Sequence, residues 1–282
     1  MPYLVGRRRG YRVLDGALRH AFPGTFAGEQ IVPHGDGLIS YNLGSYIHRL
    51  MAYEWFGEES RLLLARLLRP GDTFVDAGSH LGFFTVQAAA LVGTQGVVHA
   101  IEANPATVVR LRRNASLNSG LAKIEVHAFA LSDQGGERLL LHGAEAESDS
   151  FIQRDGSATG TVEVAGASLD DLSATWGKIR LLKIDIEGSE TLAFRGASRW
   201  LASPGAPAFI LAEINPAMLA RAGSSAAELI ELLASHGYRP FSMRFRTSRR
   251  VALGPAHPVE QNEDFLFARD SSLDELTRLG LM

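Results

Sequence analysis

The sequence predicts an α/β fold built on one mostly parallel sheet with an antiparallel strand near the C-terminus. From residue 74 onward, short apolar runs alternate with stretches of helical pattern. Each run is almost continuously apolar, which is typical of strands that are covered on both faces. The last two runs, residues 238–243 and 264–268, have no helix between them. We therefore expect these two to be antiparallel neighbours at one end of the sheet.

The predicted elements follow one another regularly along the chain. Strands are expected at residues 74–77, 97–102, 124–129, 180–186 and 209–214, and helices at residues 83–92, 105–118, 189–201 and 226–236. Asn104 and Pro105 fit the cap and the first turn of the second helix. Gly237 is a suitable residue to end the last helix.

Two regions do not follow this alternation. Residues 1–60 are interpreted as an N-terminal cap over the cofactor end of the sheet, which leaves residues 61–282 as the main domain. Within residues 137–165, the ends at 138–142 and 161–164 resemble paired strands. The middle, residues 143–160, is rich in Gly, Ser, Ala and acids. This stretch is either a substrate lid or a plain surface hairpin.

The composition narrows the class of protein. A chain of 282 residues with 46% hydrophobic and 21% charged residues can bury a sizeable core. A net charge of −3 disfavours a strongly basic nucleic-acid interface, although Arg7, Arg8 and Arg9 form a local basic run.

The residue types also limit the chemistry and the location. The absence of cysteine excludes disulfides, thiolate nucleophiles and cysteine zinc sites. No apolar run approaches the ~20 residues that span a bilayer, and the first residues lack the apolar core of a signal peptide. We expect a cytoplasmic protein with no nucleic-acid or membrane partner, and homo-oligomerisation is left open.

The most informative stretch is TFVDAGSHLGFFT, residues 73–85. A strand-like run ends on Asp76, a turn containing Gly78, Ser79, His80 and Gly82 follows, and a helix begins. Such a turn leaves bare backbone N–H groups against which a nucleotide-like ligand can lie. A pyrophosphate-binding loop would avoid the carboxylate of Asp76, so the pattern favours a cofactor with a cationic part, S-adenosylmethionine.

Two other functions remain alternatives at this point. One is an NAD-dependent oxidoreductase on a Rossmann-like fold, which the departure from G-x-G-x-x-G disfavours. The other is a non-catalytic binding module.

Glu102, at the end of the second strand, can accept both ribose hydroxyls of an adenosyl group. It could equally bind the ribose of NAD, or be a helix N-terminal acid that the helix dipole favours.

Acids also follow the fourth and fifth strands. KIDIEGSE places Asp185, Glu187 and Glu190 within six residues, and Asp185 and Glu187 share one face if the strand continues. Because clustered carboxylates repel one another, one of them can hold a raised pKa suited to proton abstraction. Glu190 is alternatively an ordinary first-turn acid of a helix.

Glu213 ends the fifth strand after a fully apolar run, and packing explains it poorly. Together with Asp185 it could form a pair of bases or a divalent metal site with oxygen ligands. No metal is assigned, because no histidine joins these acids at a convincing spacing.

Several motifs, taken in order, resemble the FkbM family of methyltransferases. They are VDAGSHLGFFT, EANP, ALSD, SLDDL and LLKIDIEGSE, within about residues 43–268. The family commonly has Ala-Asn where this chain has Ser79 and His80. The resemblance implies a class I methyltransferase fold with a Rossmann-like sheet, S-adenosylmethionine as donor and usually O-methylation. It further implies that Ala130, Leu131 and Ser132 lie near the adenine and Asp185 near the transferred methyl.

The resulting hypothesis is a methyltransferase that acts on a hydroxyl of a small-molecule natural product or a sugar. Asp185 or Glu213 would remove the hydroxyl proton, with Glu187 and Glu190 positioning the site. The predicted cofactor-binding residues are Asp76, Gly78, Ser79, His80, Gly82, Glu102, Ala130, Leu131, Ser132 and Asp185. Asp76 would hold the methionine end of the cofactor, and Glu102 the ribose.

Overall fold

A central eight-stranded sheet carries helices on both faces. The computed structural model describes residues 2–22, 24–143, 151–153, 161–246 and 250–282. Its strands are β1 (Glu29–His34), β2 (Gly37–Asn42), β3 (Thr73–Ala77), β4 (Val97–Glu102), β5 (Lys123–Ala128), β6 (Ala130–Ser132), β7 (Arg138–His142), β8 (Phe151–Gln153), β9 (Thr161–Ser168), β10 (Leu181–Ile184), β11 (Phe209–Ile214), β12 (Tyr238–Arg246), β13 (Arg250–Pro255) and β14 (Glu263–Arg269). Its helices are α1 (Pro2–Ala21), α2 (Tyr46–Ala52), α3 (Glu58–Leu67), α4 (Phe83–Val92), α5 (Pro105–Leu117), α6 (Leu169–Leu172), α7 (Glu190–Arg195), α8 (Ser198–Leu201), α9 (Pro216–Arg221), α10 (Ala226–Ser235) and α11 (Leu273–Arg278).

The order of strands in the central sheet is β13-β12-β14-β11-β10-β3-β4-β5. The five strands from β11 to β5 are parallel. The strand β14 is antiparallel to both β11 and β12, and β13 is antiparallel to β12. The predicted fold class is therefore confirmed. Because the strand order reverses between β3 and β10, the loops that follow these two strands lie side by side, as at other ligand-binding switch points.

Two hydrophobic cores lie on opposite faces of this sheet. One face packs against α3, α4 and the β1–β2 hairpin, with Phe74, Leu63 and Ile39 fully buried. The other packs against α7, α8 and α10, with Phe194, Leu201 and Leu229 fully buried. The apolar sequence of α4, FFTVQAAALV, suits a helix that is covered on nearly every side.

The N-terminal segment docks on the helices that follow β3 and β4. Backbone N–H groups of β2 donate to side chains of α5, Leu38 to Asn118 at 2.8 Å and Ser40 to Asn114 at 2.9 Å. The ring of His48 in α2 lies 5.7 Å from that of His80, in the loop after β3. The N-terminal segment thus reaches the carboxyl edge of the sheet. Its division from the main domain near residue 60 stays a prediction, because both sides of that point share one core.

Two predicted elements differ from the structure. The single helix predicted over residues 189–201 is split into α7 and α8 at Gly196, where an added Cβ would lie 2.2 Å from the carbonyl oxygen of Ser132. The predicted irregular segment between the last two strands contains β13, an edge strand whose Val251 and Leu253 pack into the core beside α3. Both departures come from contacts between segments that are distant in the chain.

The predicted pairing within residues 137–165 is confirmed, because β7 pairs with β9 in antiparallel register. Most of the predicted lid, residues 144–150 and 154–160, lies outside the described residues. No helix in the described part of the chain combines the length and the apolar character that crossing a membrane requires.

Candidate active site

Charged side chains gather where β3, β10, β11 and β14 meet at one edge of the sheet. Lys183 pairs with Asp76 in register between β10 and β3, and Glu213 pairs with Asp264 between β11 and β14. Asp185 and Glu213 each come directly after the last residues that pair β10 with β11. We name the five residues Asp76, Lys183, Asp185, Glu213 and Asp264 the acidic edge. It combines four carboxyl groups with one ammonium group.

Lys183 supplies the positive charge within the acidic edge. Its Nζ lies 3.2 Å from Oδ2 of Asp185 and 4.7 Å from the centre of the Phe84 ring, and its side chain is only 7% exposed. Burial opposes the charge, but the carboxylates of Asp185, Asp76 and Asp264 outweigh burial and raise the pKa of Lys183. The ammonium is therefore held charged at the centre of the cluster.

Asp76 lies beneath the first turn of α4 with no exposed surface. Thr85 donates its hydroxyl to Oδ2 of Asp76 at 2.6 Å. The other oxygen, Oδ1, has no hydrogen-bond partner among the residues that the structure describes. Burial raises the pKa of Asp76. An orphaned buried carboxylate oxygen marks an unmet demand for a donor or a positive charge.

The turn after β3 needs glycine at position 78. Gly78 has a φ of 79°, and a Cβ there would lie 1.8 Å from the carbonyl oxygen of Asp185. Only glycine tolerates both the left-handed conformation and this approach. The turn after β3 therefore packs directly against the turn after β10.

The expectation that this turn presents bare N–H groups is wrong for four of its amides. The N–H groups of Gly78 and Ser79 both donate to the carbonyl oxygen of Ile101 at 3.0 Å. The N–H of Gly82 donates to Ser79, and that of His80 donates to Glu102. The end of β4 supplies the acceptors for three of these amides, and the loop itself supplies the acceptor for Gly82. A ligand would meet side chains and the loop surface here rather than a row of free amides.

Glu102 braces this loop from the end of β4. Its Oε2 accepts the N–H of His80 at 2.9 Å and its Oε1 accepts the N–H of Asn104 at 2.8 Å, while His80 has a φ of 50°. Burial raises the pKa of Glu102, and these N–H groups hold part of that rise back. A carboxylate has about four lone-pair positions, so Glu102 can also accept a ligand hydroxyl. The predicted cap of α5 is confirmed, since Oδ1 of Asn104 accepts the N–H of Ala106 at 3.0 Å.

The turn after β10 is organised by Glu190, which is 2% exposed. Its Oε1 accepts the N–H groups of Ile186 at 2.9 Å and Gly188 at 3.3 Å. Burial raises the pKa of Glu190 to about 7. The strand ends at Ile184, and Glu187 has a φ of 54°. The predicted strand over residues 180–186, with Asp185 and Glu187 on one extended face, is therefore wrong at its end.

Glu213 is a strongly perturbed carboxyl group at the acidic edge. Burial, followed by the charges of Asp185 and Asp264, raises the pKa of Glu213 to about 9. Its Oε1 accepts a hydrogen bond from Nδ2 of Asn262 at 2.9 Å. Ser60 donates its hydroxyl to Oδ2 of Asp264, whose pKa burial also raises. Glu213 therefore carries a proton at pH 7.

The residues predicted to lie near an adenine are separate from the acidic edge. Ala130, Leu131 and Ser132 form β6, which pairs with β9 in the smaller sheet, and all three are buried. Ser132 donates its hydroxyl to Glu137. Their predicted contact with an adenine stays a prediction.

Several neighbours of the site were not predicted from the sequence. Thr85, Lys183 and Asp264 bind or face the predicted acids, and Ser60 reaches them from α3. The signal for Lys183 is its position two residues before Asp185 on an otherwise apolar strand, and the signal for Asp264 is an acid at the start of the last strand. Nothing in the local sequence of Ser60 indicates its role.

The arrangement suits a ligand that brings positive charge. The carboxyl groups outnumber the ammonium, and the unpartnered oxygen of Asp76 is one of them. Glu102 offers acceptors for hydroxyls next to the same loop. These residues fit the sulfonium, ammonium and ribose groups of an adenosylated methionine.

A protein-family comparison agrees with this chemistry. A family model described as the methyltransferase FkbM domain matches residues 76–240, more than half of the chain. No curated protein matches the chain in sequence.

The chain is also similar in fold to solved structures at low sequence identity. Fibrillarin from Aeropyrum pernix in complex with S-adenosyl-L-methionine is 14% identical, with a TM-score of 0.44 over 86% of this chain and 83% of its own. A SAM-dependent O-methyltransferase from Thermotoga maritima is 12% identical, with a TM-score of 0.45 over 85% of this chain and 77% of its own. With TM-scores below 0.5, these likenesses add no argument to the family match.

Proposed function

The chain belongs to the FkbM family of S-adenosylmethionine-dependent methyltransferases, and from that premise we propose that it methylates a hydroxyl group of a small-molecule natural product or a sugar. The observation that carries this proposal is the acidic edge, where Glu213 has a pKa of about 9. A hydroxyl must lose its proton when it accepts a methyl group, so a carboxyl group that can take up a proton at the site suits an oxygen acceptor.

Residues at the ends of β3 and β4 and residues of β6 would hold the cofactor. Glu102 would accept the ribose hydroxyls, and the loop at Gly78 and His80, with Asp76 beneath it, would hold the methionine end. Ala130 to Ser132 would lie near the adenine. When bound, S-adenosylmethionine supplies an electrophilic methyl group on a positively charged sulfur.

The proton-accepting role is assigned to Glu213. In the structure burial, together with the charges of Asp185 and Asp264, keeps it protonated at pH 7. A positive charge that enters the acidic edge lowers its pKa and releases this proton. The free carboxylate can then take the proton of the acceptor hydroxyl while the oxygen gains the methyl group.

Asp185 is assigned to orientation of the acceptor hydroxyl. Its carboxylate is held by Nζ of Lys183 at 3.2 Å, and its backbone N–H donates to Ala77 at 3.0 Å. Glu190 fixes the turn that carries Asp185 and Glu187 through the N–H groups of Ile186 and Gly188. Such rigid placement is what an in-line displacement between oxygen, carbon and sulfur requires.

The first experiment measures methylation and cofactor binding in variants of the two acids. Purified protein is assayed with a labelled methyl donor and a panel of sugar, polyketide and amine acceptors. Glu213→Gln and Asp185→Asn should keep the cofactor Kd within a few-fold and lower kcat by about 10²–10⁴-fold. Glu231→Gln, which removes an exposed carboxyl on α10, serves as the matched control.

The outcomes separate the parts of this proposal. Unchanged turnover in both acid variants would refute the proton-accepting and orienting roles. Methylation of amines alone would refute an oxygen acceptor. Absence of measurable affinity for S-adenosylmethionine and S-adenosylhomocysteine would contradict the assigned cofactor site.

A second experiment tests the charge coupling directly. Calorimetric titrations in buffers of different ionisation enthalpy count the protons released on binding. S-adenosylmethionine should release more protons than S-adenosylhomocysteine at pH 7 to 8, because only the former brings a sulfonium charge. Glu213→Gln should abolish that difference, and an equal release by both ligands would contradict the role of Glu213.

A further inference from the structure

A second cluster of polar side chains lies away from the acidic edge, on β4 and β5. His99 pairs with Glu125 in register between these strands, and His127 follows two residues after Glu125. Side chains two residues apart on a strand share one face, so all three project from the same face of the sheet. This face is the one that packs against Trp176, opposite to the face that carries Asp76. We name these three residues the histidine cluster.

The spacing within the histidine cluster matches that of metal ligands. Nδ1 of His99 lies 3.2 Å from Nε2 of His127 and 3.2 Å from Oε2 of Glu125. All three potential ligand atoms lie within 4.8 Å of one another. In a tetrahedral zinc site with bonds of about 2.0–2.1 Å, neighbouring ligand atoms are about 3.3 Å apart. Two of the three separations already have this value.

Hydrogen bonding alone accounts poorly for this arrangement. A single ring nitrogen, Nδ1 of His99, faces both the nitrogen of His127 and the carboxylate oxygen of Glu125. A neutral imidazole nitrogen has a single in-plane N–H or lone pair, so it makes one well-directed hydrogen bond and must divide it between these two partners. A cation placed among the three atoms satisfies all of them together.

Neighbouring residues fix the orientation of His99 and Glu125. The ring of His99 is stacked on Trp176, with centroids 4.7 Å apart, and Trp176 in turn packs edge-on against Trp200 at 5.7 Å. Nζ of Lys123 binds Oε1 of Glu125 at 2.5 Å, which leaves Oε2 directed at His99. Partners of this kind fix ligand orientation in metal sites. Burial lowers the pKa of both histidines, which is consistent with neutral rings that keep a lone pair.

We propose that His99, Glu125 and His127 form a binding site for a divalent transition-metal ion. Two imidazole nitrogens and one carboxylate oxygen suit Zn²⁺, and also Co²⁺, Ni²⁺ or Cu²⁺. The ion ties the edge strand β5 to β4, whose last residue is Glu102. Because the cluster lies on the sheet face opposite to Asp76 and Lys183, its role is structural, and methyl transfer does not pass through it.

The test uses the full chain, freed of metal with a chelator and then titrated with Zn²⁺ alone. One equivalent of zinc should bind and raise the melting temperature, since a ligand that binds only the folded state stabilises it. His127→Gln and Glu125→Gln should each weaken zinc binding by at least about tenfold, the lower end of what even indirect ligand changes cost. Co²⁺ titration of the same proteins gives an independent spectroscopic readout of the ligand set.

The control must separate this site from ordinary surface histidines, because the chain has nine histidines. His20→Gln removes an exposed histidine of α1 and should leave the affinity for zinc unchanged. Circular dichroism of each metal-free variant checks that it folds, and Glu125→Gln, the mildest change, serves if His127→Gln does not. Equal zinc affinity in the wild type and in Glu125→Gln or His127→Gln, or no stoichiometric zinc binding by the wild type, would overturn the proposal.

Discussion

The acidic edge and the histidine cluster lie in one sheet but on opposite faces, and the same physical effect acts on them in opposite directions. At the acidic edge, burial raises the pKa of Glu213 and Asp264, because burial disfavours a negative charge. In the histidine cluster, burial lowers the pKa of His99 to about 4, because burial disfavours a positive charge. The carboxyl groups of Glu213 and Asp264 and the imidazole of His99 are therefore driven toward their neutral forms, while Lys183 and Glu125 stay charged beside them.

The two regions differ in the kind of cation that each can bind. The acidic edge lies at strand ends, beside two turns, and can admit an organic cation. The histidine cluster lies within β4 and β5 and presents two imidazoles with one carboxylate that is already paired with Lys123. It suits a small inorganic ion. A site at strand ends, such as the acidic edge, is thus open to a larger ligand, and a site within the strands, such as the histidine cluster, has room only for a small one.

Removal of the ammonium from the acidic edge should have the largest effect on stability. Lys183→Met leaves Asp185, Asp76 and Asp264 without their shared positive charge. Loss of one partner of a buried ion pair costs about 3–5 kcal/mol. Urea unfolding should show a loss of this size, and Lys178→Met, at an exposed lysine, should show almost none. A variant as stable as the wild type would mean that Lys183 is not the counter-charge.

Removal of a single neutral hydrogen-bond donor should lower the free energy of unfolding by less than the loss of Lys183 does. Thr85→Val removes the hydroxyl that donates to Oδ2 of Asp76, whose Oδ1 already has no hydrogen-bond partner among the described residues. An unsatisfied buried acceptor costs about 1–3 kcal/mol, measured as the change in the free energy of unfolding. Thr85→Ser, which keeps the hydroxyl, should recover most of the loss. Equal losses in the two variants would assign the effect to packing rather than to the hydrogen bond.

The pH dependence of stability should follow Glu213. Its pKa is raised from 4.5 to about 9 on folding, so the folded state binds a proton that the unfolded state has released between these values. The associated stability is fully present below pH 4.5 and is lost as pH rises towards 9, at up to about 1.4 kcal/mol per pH unit.

Thermal melts of the cofactor-free protein between pH 5 and 9 measure this dependence. Glu213→Gln should make the profile less steep, because a glutamine keeps the neutral form at every pH, and the raised pKa of Glu190 accounts for part of the slope that remains. A profile with the same slope in the variant would show that another group is responsible.

The smallest loss of stability is expected for a substitution in the histidine cluster of the metal-free protein. His99→Phe keeps an aromatic ring against Trp176 and removes no charge, because His99 is neutral at pH 7. A replacement of similar volume should cost less than about 1.5 kcal/mol in urea unfolding. A loss as large as that of Lys183→Met would contradict the contrast between the two regions.

Elements with strong local signals were predicted well from the sequence. The helix Phe83–Val92 and the strands Val97–Glu102 and Phe209–Ile214 have the predicted bounds. Each is an apolar run that ends at a glycine, an acid or an asparagine, so neighbouring residues alone determine where it ends. The cap at Asn104 belongs to the same group, because it depends only on the two residues that follow it.

Predictions failed where a distant segment decides the local conformation. The helix over residues 189–201 breaks because Gly196 meets the backbone of Ser132. The early end of β10 at Ile184 is a local exception, because Glu190 folds back onto the N–H groups of Ile186 and Gly188, four and two residues before it. Three of the amides after β3 are not bare, because the end of β4 supplies their acceptors.

The sequence by itself determined that Asp76, Glu102, Asp185 and Glu213 each lie at or directly after the carboxyl end of a strand. This follows from short-range patterns of apolar and acidic residues. Only the tertiary structure decided that Lys183 faces three carboxylates, that Ser60 binds Asp264 across 204 residues of chain, and that His99 meets Glu125 and His127. The pairing of charges and ligands depends on strand order and register, and these are set by the packing of the whole sheet rather than by any local run of residues.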